Sequence, residues 1–348
     1  MSKLQERIEA FVHLGLRLRK ALEKDDDDLG NVLSEAFTLN QWFTPENSRY
    51  ALDALSRNLT MESLKKFLSL YHLPDNNPLP KRVGLVMAGN IPIAGFHDLM
   101  CTVLSGHYAA AKLSSQDRVL MQYVTGILAE KLPGTKNPVS FPDRLSGIDA
   151  AIATGSNNSS RYFEYYFSSV PHIIRKSRTS AGLLTGEEND EEMQGLCNNI
   201  FQYFGLGCRS VSKIYIPAGF DIDKLFRAAY AHREIIHHNK YANNYTYHRA
   251  LFLMDGVSFL ENGFLILKED VSLPSPVSVL HYEYYRDESD LLKKLESHTR
   301  EIQCLCTGNN RFSSITKKFP AVPFGETQHP ALADFADGVD TMKILLGL

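Results

Sequence analysis

The sequence predicts an α/β protein: two open, mostly parallel sheets behind a helical N-terminal segment. Three observations carry this. Short apolar runs, tight turns and amphipathic stretches repeat in order from residue 82 to 185, the rhythm of a parallel sheet with crossover helices. A second series of the same kind follows a strongly helical segment that begins at Asn189. The chain of 348 residues is also longer than one core supports, because single cores stop growing near ~250–300 residues.

In order along the chain, residues 1–75 read as helical. Leu4, Ile8, Phe11, Leu14 and Leu18 recur at helical spacing among charges, which predicts a surface helix and not a signal peptide. Thr44 and Pro45 mark a later helix start, and Pro74 to Pro80 forms a proline-rich joint. Arg82 to Ala88 is a short apolar run, the pattern of a buried parallel strand. Gly89 to Pro92 turns the chain into a helix from His97 to His107. Tyr108–Leu113, Gly147–Thr154 and Ala181–Leu184 read as further strands, and Gln116–Lys131 and Asn157–Tyr166 as helices. In the second block, the turn Gly205–Ser210 leads into a strand at Val211–Ile216 and a helix at Asp221–Ala231. Strands are predicted at Ala250–Met254, Gly263–Leu267, Val277–Tyr282 and Ile302–Thr307, with a helix at Glu288–Leu295. The divisions fall at 1–75, 76–188, 189–320 and 321–348.

Lys plus Arg is 37 and Asp plus Glu 40. A net charge of −3 speaks against a dedicated nucleic-acid binder. No stretch approaches the ~20 apolar residues of a membrane span. Five cysteines, an odd number without a secretion signal, fit free thiols in a reducing, cytoplasmic setting. Cys304-x-Cys306 lacks a second ligand pair. His232, His237, His238 and His248 crowd one segment without a Cys or carboxylate pattern, so no metal site is expected.

The residues that can carry chemistry lie in turns. Cys208 sits beside Gly205 and Gly207, which let backbone and substrate come close. Arg209 and Lys213 supply positive charge nearby, a setting that favours the nucleophilic thiolate. Asn90 follows a strand in a Gly-Asn-Ile-Pro turn, where a fixed amide can donate to an oxyanion. Lys112 ends a strand ahead of Ser114 and Ser115, a place suited to a ribose or phosphate contact. Thr154-Gly155-Ser156 opens a helix after a strand, where backbone N–H groups meet anions. The G-x-G-x-x-G dinucleotide signature is absent.

Taken in order, these segments resemble the aldehyde dehydrogenase superfamily and, within it, the acyl-CoA reductases that supply fatty aldehyde in bacterial bioluminescence. Asn90-Ile91-Pro92 is similar to the family's Asn-Phe-Pro, and Ala111-Lys112-Leu113-Ser114 to its Leu-Lys-Pro-Ser. Thr154-Gly155-Ser156 matches its Thr-Gly-Ser. Gly205-Leu206-Gly207-Cys208 resembles Gly-Gln-x-Cys, and Val322-Pro323-Phe324-Gly325, with Gly338 and Lys343 beyond, resembles its Pro-Phe-Gly-Gly segment and tail. The likeness is strung along most of the chain from Val83 onward.

The resemblance implies an aldehyde-dehydrogenase-like fold: a cofactor domain at 76–188, a catalytic cysteine domain at 189–320, and a segment at 321–348 that returns to the first. It implies Cys208 as nucleophile and Asn90 as oxyanion donor. It implies Lys112, Ser114, Thr154, Gly155, Ser156 and Phe324 as cofactor contacts. The Glu-x-Phe-Gly-Pro motif, whose Glu holds the nicotinamide ribose, is blurred to Glu269 through Pro276; Glu269 is the choice, with Asp270 beside it. Lys112 is followed by Leu113-Ser114-Ser115, with no acid at the place where NAD-selective relatives often hold a ribose with Glu, which leans towards NADPH over NADH.

One departure bears on the chemistry. Where hydrolytic members carry a Glu some thirty residues before the cysteine, this chain has Ile174 to Gly182 without a carboxylate, and Glu187 and Glu188 come later. Acyl transfer between thiols needs no such base. The reading is therefore reduction of an acyl-CoA, of fatty chain, to the aldehyde through a cysteinyl thioester. An acyl-activating or acyl-transferring partner enzyme and a homo-oligomer fit it. Two alternatives share the features: a hydrolytic or phosphorylating aldehyde dehydrogenase, and a non-catalytic acyl-binding scaffold that kept the fold.

Overall fold

The structure, a computed structural model, describes residues 3–24, 26–132, 137–308 and 311–348. It divides into two compact units, Met1–Ser177 with Ala331–Leu348, and Arg178–Pro330.

The first unit opens with four helices: α1 (Leu4–Lys24), α2 (Asp27–Leu39), α3 (Pro45–Asn58) and α4 (Met61–Leu68). Ile8, Phe11, Leu14 and Leu18 form the buried stripe of α1, as their spacing requires. Asp26, Thr44 and Thr60 cap the next three helices by accepting backbone N–H groups. A five-stranded sheet follows, from β1 (Arg82–Val86), α5 (Phe96–Leu104), β2 (Tyr108–Lys112), α6 (Arg118–Ala129), β3 (Val139–Ser140), β4 (Ala150–Thr154), α7 (Asn157–Tyr166) and β5 (His172–Arg175). Its order is β3-β2-β1-β4-β5 and every pairing is parallel. The chain runs outward from β1 to β2 and β3, then returns to place β4 on the other flank of β1. That reversal makes a topological switch point between β1 and β4, the position beyond which open α/β sheets bind ligands.

The second unit is built from β6 (Thr179–Leu183), α8 (Asp190–Phe201), β7 (Val211–Pro217), α9 (Ile222–Ala229), α10 (Asn239–Met254), β8 (Leu260–Glu261), β9 (Ile266–Glu269), β10 (Val279–Tyr285), α11 (Glu288–Ser297), β11 (Ile302–Thr307), α12 (Ser313–Thr316) and β12 (Ala321–Pro323). Seven strands lie in the order β12-β11-β6-β7-β10-β9-β8, parallel except for the β8–β9 edge. A capping box at Asn189 and Glu192 starts α8. The core on one face gathers Met193, Leu196, Ile200, Ile214, Ile216 and Cys306. On the other face it gathers Tyr215, Leu291, Leu295 and Leu305. The last helix, α13 (Thr341–Leu346), belongs to the first unit. No helix among the described residues is long and apolar enough to cross a membrane.

Two sequence expectations change, and four short strands have no counterpart in the sequence pattern. The run Ala181–Leu184 continues the first sheet in sequence, but β6 pairs with β7 and β11 in the second. Ala250–Met254, expected as a strand, is the end of α10. Ala, Leu and Met are strong helix formers, and Phe252 reaches the core beside Ile266 and Val279 from a helix as readily as from a strand. Strands β3, β5, β8 and β12 are two to four residues long, too short for an alternating pattern to mark them.

Candidate functional site

In the first unit the sheet brings the expected residues to one edge. Val86 pairs with Lys112 on one side and Ala153 on the other, so β1, β2 and β4 end at one level. Asn90 lies four residues past β1 and is exposed; Lys112, the last residue of β2, is exposed too. Ser114 stands two residues further on and accepts the Gln116 N–H at 3.2 Å. Thr154 ends β4, Gly155 donates its N–H to Arg175, and Ser156 caps α7 through Ser159. The edge therefore offers an exposed ammonium and the positive end of a ten-residue helix on either side of the switch point, a setting for phosphate and ribose groups.

The Asn90 loop is clasped by the loop after β2. Met87 donates its N–H to the Lys112 carbonyl. Gly89 packs so tightly on Ser114 that any Cβ there would overlap the hydroxyl, which is why this turn takes glycine. The Ile93 N–H donates to Asp117 Oδ2 at 2.6 Å. Burial pushes the Asp117 carboxyl well above the usual carboxylate range.

In the second unit Cys208 occupies the turn just ahead of β7. It is the one cysteine of five that is not buried. Burial raises the thiols of Cys101 and Cys306 and pushes that of Cys197 up to about 12, so those three are poor nucleophiles. The turn is held tightly. Ser180 Oγ donates to the Cys208 carbonyl at 3.1 Å. Ser210 donates its N–H to Gly207, while its Oγ accepts from Gly207 N at 3.2 Å and from Gln328 Nε2 at 3.3 Å.

The approach to this turn is strained. Tyr203, Phe204 and Gly205 all have left-handed backbone, with φ of 53°, 57° and 76°. Glycine accepts this freely, but each aromatic bears ~1–2 kcal/mol. Both aromatic side chains are buried, and Phe204 packs on His238 with ring centroids 4.4 Å apart. Strain of this sort persists only where the surroundings over-determine it, and it collects at functional sites.

Other expected residues go elsewhere. Lys213 does not serve Cys208 with charge. It is fully buried, bonded to Glu283 at 2.5 Å and to the Val271 carbonyl at 2.8 Å, and burial lowers its pKa. The β6–β7 register shifts between Val211 and Lys213, and Lys213 lies over the Tyr215 ring with its ammonium 4.9 Å from the centroid. Arg209 is buried and turned towards the Cys304 sulfur. Glu269 ends β9 level with Tyr282 of β10, and Phe324 follows the last residue of β12. Phe324 therefore lies at the C-terminal strand ends, whereas Glu269 is level, through Tyr282, with Ile214 in the middle of β7, and the 271–273 segment after it returns to Ser212 and Lys213 near the Cys208 turn. Asp270 is bound to Lys268 and Ser272, which hold its carboxyl low against the opposing effect of burial. Glu188 closes the turn after β6 on Thr185 and Gly186, and Glu187 pairs with Arg311. Both glutamates are thus at the far end of β6 from Ser180 and the Cys208 turn.

His232 stacks on Phe201 and His238 caps α10. No cluster of three or more metal-ligating side chains forms among the described residues. Phe163 of α7 and Phe167 just after it pack inward, while Tyr162, Tyr165 and Tyr166 face solvent.

Sequence reasoning missed Asp117, Ser180, Ser210 and Gln328. None belongs to a recognisable motif, and only Asp117 left a signal, an acid directly after the Lys112 segment.

No family model and no curated protein matches the chain. Among solved structures it is similar to aldehyde dehydrogenase 21 of Physcomitrella patens in complex with succinate, with a TM-score of 0.70, 12% identity, and 100% of this chain and 84% of that one covered. It is similar to the betaine aldehyde dehydrogenase of Staphylococcus aureus in complex with NAD+ (TM-score 0.68, 12% identity, 92% and 75% covered). A third likeness is the NAD-dependent aldehyde dehydrogenase of Sinorhizobium meliloti (TM-score 0.65, 12% identity, 93% and 74% covered). The chain has the aldehyde dehydrogenase fold; at this identity the likeness concerns the fold alone.

Proposed function

We propose that the protein reduces an acyl-CoA, of fatty chain, to the aldehyde with a nicotinamide cofactor, NADPH in preference to NADH. The observation that carries this is Cys208 itself, the one cysteine of five left unburied, on a strained and tightly bonded turn within an aldehyde dehydrogenase fold.

In this assignment the Cys208 thiolate attacks the thioester carbonyl. The Asn90 amide and the Cys208 N–H are the donors assigned to the oxyanion, which spreads the developing charge over two fixed dipoles. The C–S bond to CoA breaks, the CoA thiolate leaves, and the acyl group stays on Cys208 as a new thioester. A reduced nicotinamide, when bound, supplies hydride to that carbonyl carbon. The same donors hold the second oxyanion until the bond to Cys208 breaks, freeing aldehyde and thiolate.

Lys112, Ser114, Thr154, Gly155 and Ser156 are assigned to the cofactor's adenosine and phosphate groups. The exposed Lys112 and the burial of Asp117, the one acid that follows β2 closely, favour a 2′-phosphate over a free ribose. Glu187 and Glu188, both bound at the far end of β6, support transfer between thiols over hydrolysis. Assembly into a homo-oligomer, and a partner that hands over the acyl group, belong to the same proposal.

The reverse reaction tests it. Incubated with a long-chain aldehyde and NADP, the protein is expected to form acyl-CoA and NADPH only when CoA is present. NADPH formation with free acid and without CoA would establish a hydrolytic dehydrogenase instead.

A further inference from the structure

One buried acid of the first unit is assigned no contact with substrate or cofactor. Asp117 stands immediately before α6, where an Asp normally caps the helix, yet its side chain makes no cap bond. It turns instead to the loop after β1, where Oδ2 accepts the Ile93 N–H at 2.6 Å and Oδ1 is buried without a hydrogen-bond partner. Forgoing the cap and burying the carboxyl are both unfavourable. The residue it holds is unfavourable as well: Ile93 is β-branched with φ of 53°, a true outlier for such a side chain. Ile93 then leads into α5 through its carbonyl, which accepts the Phe96 N–H at 3.0 Å. One hydrogen bond thus fixes a strained residue three positions past Asn90 and one helix start beyond it.

We propose that Asp117 is a positioning residue for Asn90: its bond to the Ile93 N–H holds the 89–95 loop in the strained form that sets the direction of the Asn90 amide. The proposal rests on the assignment of Asn90 as an oxyanion donor. Asp117 touches no reacting atom and acts through the loop. The carboxyl needs only an acceptor oxygen for this, so an amide can replace it.

The test combines kinetics of acyl-CoA reduction with hydrogen exchange over residues 89–95. Asp117→Leu, similar in volume but without an acceptor, is expected to lower kcat about 10- to 100-fold, as small misplacements of catalytic groups do, with KM within about twofold. Exchange in the loop rises. Asp117→Asn recovers most of the kcat and the slow exchange. In an Asn90→Ala background, Asp117→Leu costs less than about twofold more, because the group it positions is gone. Should Asp117→Leu not fold, Ile93→Gly loosens the same loop without touching the acid and is expected to lower kcat with faster exchange. Additive losses from Asp117→Leu and Asn90→Ala, or faster exchange with unchanged kcat, would overturn the proposal while leaving Asn90's role intact. An Asn90→Ala variant with undiminished kcat would overturn the oxyanion assignment and this proposal with it.

Discussion

The Asn90 loop and the Cys208 turn are built in opposite ways. The Asn90 loop follows a strand and is clasped from the side, by the β2 loop and by Asp117. The Cys208 turn precedes a strand, is closed on itself by Ser210 and is tied from outside by Ser180 of β6 and by Gln328, after two aromatics in left-handed backbone. The general rule for open α/β sheets, ligands beyond the C-terminal strand ends, finds the first and is silent on the second. A loop at a strand end offers dipoles and charge to a ligand. A knotted turn holds the half-buried Cys208, the proposed nucleophile, in a geometry set by its hydrogen bonds.

The two regions separate most sharply under truncation. Cys208→Ala is expected to lower thioester reduction by more than about 10³-fold, since no other group replaces a nucleophile, with nicotinamide cofactor binding unchanged by fluorescence titration. Asn90→Ala is expected to cost about 10²–10³ in kcat, the worth of one oxyanion donor, with the acyl-enzyme still detectable after long incubation. Equal and complete loss in both would erase the distinction between nucleophile and donor.

Strain is the next measure. Phe204→Ala is expected to destabilise the protein by about 3 kcal/mol through lost burial. Phe204→Gly should be no worse in urea unfolding, because glycine alone is at ease at this φ. Glycine falling clearly below alanine would contradict a strained turn.

Asp117 supplies a pH signature for the first region. Its carboxyl is pushed above its unfolded value by burial, so its contribution is fully present below the ordinary carboxylate pKa and is lost as pH rises towards the folded one. Asp117→Asn removes that loss. Its stability relative to the native protein is therefore expected to improve from pH 4 to pH 7, and a flat or falling difference would count against a buried, protonated acid. The smallest effect is expected at Glu269. Glu269→Gln is expected to raise the cofactor's KM, the mark of the nicotinamide-ribose contact that the resemblance implies, and an unchanged KM would count against that role.

The fold was largely legible. Strands β1, β2, β4, β7 and β11 are short apolar runs bounded by turn residues, and buried parallel strands leave that mark. Ala250–Met254 was misread because an apolar pentamer fits a strand and a helix end equally well. The placement of β6 in the second sheet depends on which neighbours it meets, and a local pattern holds no record of that. Within the candidate site, Cys208, Asn90 and Lys112 stand out in the sequence because their residue types carry chemistry in glycine-containing or strand-end contexts. Asp117, Ser180, Ser210 and Gln328 act through hydrogen bonds to backbone or to one another across tens of residues in sequence. Lys213 shows the reverse failure. Closeness in sequence to Cys208 counted for nothing once the strand turned its side chain to Glu283.

The central claim, acyl transfer to Cys208 followed by reduction, is tested most directly by the intact mass of the protein after incubation with acyl-CoAs of several chain lengths. A single acyl adduct is expected on Cys208, stable in water over the assay and discharged as aldehyde when NADPH is added. An adduct absent from Cys208, or one that hydrolyses to the free acid without cofactor, would contradict it.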